Sequence, residues 1–564
     1  MEVNKILEWA QEWKMEVNTD KTKTMIISTS PTDRAWDPEL LAGNDQIKTV
    51  KEYRFLGVTI DSDLRFTKHI ENIAEKARKR VNIMRCMSTK DWGFSPESQR
   101  KLFMTYVRSV LDYASPSWNA WISETSRGEL QKVQNQGLRA INNMCKTCPI
   151  DFLHLEAAIE PLADRFEQND DILWDRYARL QDNDPKNALL QKVITQRARP
   201  LKTRPGWRRT TAERMKEMQI IRETTTAALP PWRHLSNLTL DQVVLTRPKS
   251  EYELDELKRM TMEKLDELEP DTRIYTDGST DSQQRNGGAG VFITDENGNV
   301  LLEASYPAGK ICSSYSGEAI AALRALEWVE ENGVQKCTII TDSLSLHNSL
   351  ESNDWKNNDP WLKQIKSILH RIPTTVIMLW IPSHIDVHGN EKADALANAG
   401  TTMDQSEIPV SHKTIRSKIK NRKWEISHER AVQMYGDRRG PRVDIEKKWP
   451  RDVRRLFQQL RTGHCKLLKK YRFLIDLEDN ATCDQCHEGE ETLEHVLCRC
   501  PALELNRRRH TEGEVTVDMM VTDPETCRRI LKGRFPDLEI KTLSAEGPSS
   551  GASQSQDTGS SPRC

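Results

Sequence analysis

The stretch from about residue 270 to residue 400 predicts an α/β fold, a mixed five-stranded sheet with flanking helices. RIYTDGS, GAGVFITD and NVLLEASY read as three strands joined by short Gly- and Asn-containing turns, the signature of a β-meander. GEAIAALRALEWVEE follows as an Ala/Leu-rich helix and CTIITDS as a fourth strand. A helix around Trp361–His370 then precedes a fifth strand, TVIMLWIP, and a last helix begins near Gly389. The order βββαβαβα packs helices on the faces of the sheet.

The chain around this region is too long for one core. Its 564 residues suggest roughly three to four domains. Hydrophobic residues make up 37% and charged residues 30%, which suits folded domains separated by solvated helices and linkers. Lys+Arg total 83 against Asp+Glu 84, so any nucleic-acid contact must come from local basic clusters. The twelve cysteines do not form a secreted disulfide framework. MEVNKILEWAQEWK is amphipathic with no apolar signal core, and no run of about 18 apolar residues exists to span a membrane. The expected location is intracellular, cytoplasmic or nuclear, and not secreted.

Residues 1–150 combine a short β section with long helices. TKTMIIST and YRFLGVTID read as strands, and Ile70, Ile73, Ala74, Ala77, Val81 and Met84 fall at helical spacing. Lys76, Arg78, Lys79, Arg80 and Arg85 on that helix form a solvated face or a phosphate-facing one. Further helices hold Leu102, Tyr106, Val110 and Tyr113, and then Leu130–Ile141. Residues 151–268 form a helical connector containing RARPLKTRPGWRR at 197–209, an exposed linker whose six basic residues and Trp207 offer charge and stacking to a nucleic acid. Residues 403–510 form a helical tail ending in a Cys/His cluster, and 511–564 a largely disordered tail, given the Ser/Gly/Pro-rich SAEGPSSGASQSQDTGSSPRC at its end.

Four acids stand where metal chemistry needs them. Asp277 ends the first strand in TDGS, Glu318 opens the Ala-rich helix where the helix dipole favours an anion, Asp342 ends the fourth strand in TDS, and Asp394 lies in the first turns of the last helix. If strands one and four are neighbours, Asp277 and Asp342 converge at one edge and the helix-borne acids complete the cluster. Bunched carboxylates repel one another unless cations neutralise them, and hard Mg²⁺ or Mn²⁺ suits oxygen ligands. Two such ions about 3.5–4 Å apart activate a water and stabilise the leaving oxygen of a phosphodiester. Taken singly, each acid reads as a surface or capping residue.

Together with their flanks, TDGS, SGEAIAALRAL, IITDS and WIPSHIDVHGNEKADALA resemble the type 1 ribonuclease H family in its retroelement form, over the whole region of 269–402. The resemblance implies the ribonuclease H fold, with Asp277, Glu318, Asp342 and Asp394 as ligands of two Mg²⁺ or Mn²⁺ ions. His384, ten residues before Asp394, matches the family's mobile-loop histidine, which serves proton transfer or product release. Many relatives have Gly before this histidine and Gly two residues after it; this chain has Ser383 and Asp386. The loss of glycine restricts the loop, and Asp386 adds negative charge near a phosphate site. The implied activity is endonucleolytic hydrolysis of the RNA strand of RNA–DNA hybrids, leaving a 5′-phosphate and a 3′-hydroxyl. Ser343 and Asn390 are candidates for reading the RNA 2′-hydroxyls.

MEVNTDKTKTMIIS, YRFLGVTID and LFMTYVRSVLDYASPSW resemble the palm end and thumb of a jockey/I-like non-long-terminal-repeat retrotransposon reverse transcriptase. The Tyr/Phe-x-Asp-Asp motif of such polymerases is missing. Asp170–Asp171, the chain's Asp-Asp pair, lies in FEQNDDILWDRY, which reads as an amphipathic helix. No polymerase activity is expected, the chain reads as a truncated element or a fragment of a longer reading frame, and a full-length retroelement polymerase is a candidate partner. Cys483-x2-Cys486-x8-His495-x4-Cys500 has the spacing to close a tetrahedral Zn²⁺ site, with free intracellular thiols as the alternative. With the preceding RTGHCKL, it resembles the Cys–His motif downstream of ribonuclease H in such elements. Cys498 is a competing ligand, whereas Cys145 and Cys148 read as unliganded thiols. The alternative function is a catalytically inactive nucleic-acid-binding retroelement relic.

Overall fold

The computed structural model describes residues 2–28, 30–42, 45–87, 93–142, 144–195, 207–218, 220–222, 235–268, 272–281, 286–352, 359–405, 407–435 and 448–539. These divide into two compact units: Met1–Glu71, Asp112–Gly128 and Glu160–Ser427 form the first, and Asn72–Leu111, Glu129–Ile159 and His428–Cys564 the second.

The first unit is built around a mixed sheet of six strands, one more than the sequence predicts. They are β1 (Leu238–Gln242), β2 (Thr272–Thr280), β3 (Asn286–Thr294), β4 (Val300–Lys310), β5 (Lys336–Thr341) and β6 (Thr375–Trp380), in the spatial order β4-β3-β2-β5-β6-β1. The meander β2-β3-β4 is antiparallel, and β2, β5, β6 and β1 run parallel. The helices are α1 (Leu254–Glu267), α2 (Ser314–Asn332), α3 (Leu344–Glu351), α4 (Pro360–Arg371) and α5 (His388–Thr402).

Successive strand residues point to opposite faces, so each central strand supplies two cores. Ile274, Val291, Ile339 and Met378 pack with Ala319, Leu323 and Leu326 of α2 and Leu362 and Ile365 of α4. Their neighbours Tyr275, Phe292, Ile340 and Leu379 pack on the other face with Leu257 and Leu265 of α1 and Ala393 of α5. The region read as a helical connector, 151–268, therefore ends in part of this body. Leu238 and Leu240 of β1 pack on the first core and α1 closes the second. The LTLDQ segment is short and only half-buried, and it is recruited because β6 offers a parallel edge.

Upstream, Leu162–Ala178 buries Leu162 and Phe166 and packs Ile172 and Trp174 on a small apolar cluster, and it also carries buried charges. Asp175 is fully buried and accepts from Arg179 Nε at 2.7 Å, Arg222 Nε at 2.8 Å and His412 Nδ1 at 2.9 Å. Burial alone would raise its pKa, yet His412 and the two guanidinium groups hold it below the ordinary value. The linker reading at 197–209 lies mostly outside the described residues, with the helix Trp207–Glu217 beginning inside it. Of the N-terminal strands, TKTMIIST contributes Lys23–Thr24 alone, and YRFLGVTID folds back on itself. Its halves, Glu52–Phe55 and Val58–Asp61, form an antiparallel hairpin, because Leu56 and Gly57 both take positive φ (45° and 86°).

In the second unit, the helical stretch after residue 95 buries Phe103, Val107 and Leu111 rather than Leu102, Tyr106 and Val110, one residue on at the same spacing. The expected disorder of 511–564 is corrected for its first half. Met520, Cys527, Ile530, Leu531, Phe535 and Leu538 pack into one core with Trp449, Phe457, Cys483, Val496 and Cys500. The Ser/Gly/Pro composition belongs to the last 21 residues, which lie outside the described ones. Pro524–Lys532 before them is strongly amphipathic. Among the described residues, no helix is long and apolar enough to cross a membrane.

If α1 is integral to the sheet body, Leu257→Ala should cost about 2–5 kcal/mol. The expected readout is a lower denaturant midpoint for this unit's transition at unchanged m. A shift below about 0.5 kcal/mol would instead mark α1 as a loosely apposed surface helix.

Candidate active site

The parallel pairing of β2 with β5 sets Thr276 opposite Thr341, so Asp277 and Asp342, the next residues, stand side by side, with Asp277 inside β2 and paired with Gly290 rather than at the strand end its sequence position suggests. Glu318 comes from α2. The helix begins at Ser314, so Glu318 sits in its second turn rather than at its opening, and the dipole argument for an anion there is weaker than its sequence position suggests. What brings it in is glycine. A Cβ on Gly278 would stand 2.1 Å from Glu318 N and 2.3 Å from Gly317 C, so only glycine lets the helix backbone lie against the strand. On the other face, Gly290 does the same for α5, where a Cβ would meet Ala393 O at 2.1 Å.

One carboxylate oxygen from each of Asp277, Glu318 and Asp342 lies within 4.8 Å of the other two. Asp394, half-buried on α5, stands beside Asp277, close enough for a carboxyl–carboxyl hydrogen bond, but outside that tight set. It accepts from Asn398 Nδ2 at 3.1 Å, and Asn398 in turn accepts from Ser279 Oγ at 2.5 Å.

The electrostatics follow from crowding. Burial, then the charges of Asp342 and Asp394, push Asp277 up to about 7. Glu318, 5% exposed, is driven well above the ordinary range by burial and then by Asp277 and Asp342. Burial also raises Asp342, against the pull of the Asn390 amide and the charges of His384 and Lys249. Asn390 is thus turned toward a carboxylate, and Ser343 caps α3 through Leu346 N at 3.4 Å.

His384 is exposed and has φ 52°; Asp386, two residues on, has φ 54°. Both occupy the left-handed region, so the position where many relatives have glycine still makes a glycine-like turn. Sequence reading missed Lys249, which lies outside every motif. Its Nζ donates to Ser383 O at 2.6 Å and Ser383 Oγ at 2.9 Å.

In the second unit, Cys483, Cys486, His495 and Cys500 also offer atoms within 4.8 Å of one another, with Cys498 left out. Cys483 Sγ is 4.0 Å from Cys500 Sγ, and Cys486 Sγ is 3.2 Å from His495 Nε2. A tetrahedral ion with bonds of about 2.3 Å to sulfur sets its ligands roughly 3.5–3.8 Å apart, so the cage is of the right size. The x4 spacing works because His495–Arg499 is a π-turn, closed by Cys500 N donating to His495 O at 2.6 Å. Cys145 and Cys148 are free thiols, and burial pushes Cys148 up to about 12.

Asp277 has a raised folded pKa, so its protonated form is the one the fold favours. Its contribution is present below the unfolded value of about 3.9 and is lost as pH rises toward about 7. In metal-depleted buffer, Asp277→Asn should therefore melt higher than wild type at pH 8, by about 2–4 °C per kcal/mol relieved, and the gap should narrow steadily below about pH 7 and close only near about pH 4. A gap independent of pH would contradict the crowding.

The sequence matches the ribonuclease H family over residues 269–402. A ribonuclease H of Jannaschia sp. strain CCS1 is 30% identical over 146 residues, covering 23% of this chain and 91% of the relative. The RNA-directed DNA polymerase of mobile element jockey from Drosophila funebris is 24% identical over 135 residues, which is 24% of this chain and 14% of that protein. Among solved structures, LC11 ribonuclease H1, isolated from compost, is 29% identical, covering 24% of this chain and 96% of that one, with a TM-score of 0.20. Through residues 269–402 the chain belongs to the ribonuclease H family and carries its nuclease domain.

Proposed function

We propose that the chain hydrolyses the RNA strand of RNA–DNA hybrids endonucleolytically by a two-metal-ion mechanism, with Asp277, Glu318, Asp342 and Asp394 as the ligands. The observation that carries this reading is the set of three carboxylates gathered within 4.8 Å in a largely buried place, each raised above its ordinary pKa. The donors are all oxygen, which fits Mg²⁺ or Mn²⁺, and a cation would relieve the repulsion that now favours protonation. When bound, two such ions supply Lewis-acid activation of the attacking water and of the leaving oxygen. The protein's own groups do the rest. Asn390 orients Asp342, the glycine contacts fix Glu318 and α5, and His384 moves a proton at its imidazole ring, exposed to solvent beside Asp342.

The four Cys/His ligands form a closed structural site for Zn²⁺. In this reading the polypeptide has no polymerase activity of its own. Asp170–Asp171 sits in the middle of Leu162–Ala178, where Asp170 accepts from Asn119 Nδ2 at 2.9 Å and Asp171 from Arg214 at 2.6 Å. Similarity to the jockey polymerase makes a full-length retroelement polymerase the candidate partner, and hybrids made by reverse transcription the candidate substrate. A second reading, binding without turnover, draws on Asp386, an exposed carboxylate two residues past His384.

The deciding measurement is cleavage of a labelled RNA–DNA hybrid with Mg²⁺ and then Mn²⁺. Wild type should cut, and Asp342→Asn should lose more than the roughly 10–100-fold typical of an outer-shell loss while still binding the hybrid. His384→Ala should lower kcat about 100-fold or more. Binding without cleavage under both metals would favour the second reading. For the second centre, native mass spectrometry should find one zinc per chain in wild type and none in Cys486→Ser. Zinc retained by the variant would remove Cys486 from the ligand set.

A further inference from the structure

We propose that Lys249 is a positioning residue for the histidine loop: a strut from outside the matched domain that grips Ser383 and so sets where His384 stands beside Asp342. The proposal rests on the ribonuclease reading above for its catalytic consequence, though not for the contact itself.

The strut is built locally and rigidly. The Tyr252 hydroxyl accepts the backbone N–H of Thr246 at 2.8 Å and of Arg247 at 3.3 Å, and bonds Thr246 Oγ1 at 3.0 Å. Arg247 lies 4.2 Å above the Tyr252 ring and pairs with Glu256 of α1 at 2.6 Å. Between these anchors, Pro248 leads into the single 3₁₀ turn Lys249–Glu251. The turn is thereby fixed to the start of α1, and Lys249 extends from it to Ser383 with two donated hydrogen bonds, at 2.6 and 2.9 Å.

The loop it reaches needs restraint. His384 and Asp386 are both left-handed, a conformation costing roughly 1–2 kcal/mol per non-glycine residue. Ile385 and Val387 are buried and hold the loop from beneath. The residue before the histidine, Ser383, is held by the two hydrogen bonds that Lys249 donates. The hydroxyl it uses exists because residue 383 is serine; a glycine there would offer the carbonyl alone. Lys249 also places its ammonium group toward Asp342, where the His384 imidazole stands too, so the strut sits where loop position and site electrostatics meet.

The test uses the full chain. In metal-free protein, backbone hydrogen exchange across residues 381–388 should be faster in Lys249→Met than in wild type, and Lys249→Arg should restore protection. On hybrid with Mg²⁺, Lys249→Met should lower kcat by about 10–100-fold at unchanged KM, with Lys249→Arg recovering most of it. Ser383→Ala, which removes the hydroxyl without freeing the backbone, should lose part of the same effect, and adding it to Lys249→Met should lose nothing further. Unchanged exchange in both Lys249→Met and Ser383→Ala overturns the proposal. A raised KM at unchanged kcat also overturns it, by making Lys249 a phosphate contact instead. If wild type cleaves nothing, the ribonuclease reading fails, while the exchange comparison still decides whether Lys249 holds the loop.

Discussion

Three carboxylates gathered within 4.8 Å in a largely buried place set the terms for the rest of the first unit. Like charges at that range in a desolvated setting oppose folding, so the geometry has to be imposed by contacts that do not depend on the acids themselves. It is imposed by backbone. The parallel register of β2 on β5 puts Asp277 and Asp342 at one level, and the glycine contacts press α2 and α5 onto the strands more closely than any side chain would allow. The apolar cores on both faces of the sheet then supply the free energy that offsets the crowding, at roughly 25 cal/mol per Å² of apolar surface removed from water. A site assembled this way is preorganised to receive cations, because the repulsion is already present before they arrive.

What was legible in the sequence follows from what is local. Asp277 and Asp342 are readable because each follows an apolar β run at a Thr-Asp step, and their meeting needs only one assumption about strand order, which the pairing of β2 with β5 satisfies, although β2 itself continues past Asp277 to Thr280. Glu318 was readable as a residue but not in its setting, since Ser313 caps α2 a full turn earlier than the Ala-rich run suggests. The gathering of the four Cys/His side chains was readable from spacing, yet the π-turn that makes the x4 interval work was not, because one short π-turn leaves no periodic trace.

The misses share a cause. β1 is five residues long and is a strand because β6 lies beside it, so its state is decided by a partner more than 130 positions away. The hairpin inside YRFLGVTID was concealed because a β-rich stretch reads as one strand unless the dipeptide at its centre is recognised as a turn, and Leu56-Gly57 is an unusual one. The residues before 540 hold the amphipathic helix Pro524–Lys532, and the Ser/Gly/Pro-rich composition begins only after them. Lys249 had no signal, since a lysine in a charged stretch is read as solvated until the loop it touches is placed.

The histidine loop shows how a departure from a family pattern is absorbed. Where many relatives have glycine two residues past the histidine, this chain has Asp386, and the backbone there is still left-handed at φ 54°. Aspartate is among the few residues that tolerate this region, so the turn survives at a cost of order 1 kcal/mol rather than being lost. Ser383 replaces the other glycine and gives the loop a side-chain acceptor, which Lys249 uses. Glycine would leave such a loop free to sample several conformations; this chain restrains it by substitution and holds it by a hydrogen-bonded cation. The same two changes that narrow the loop's motion therefore also supply the means of fixing it, and the loop's position is set from outside the region that matches the family, by the segment that adds the sixth strand.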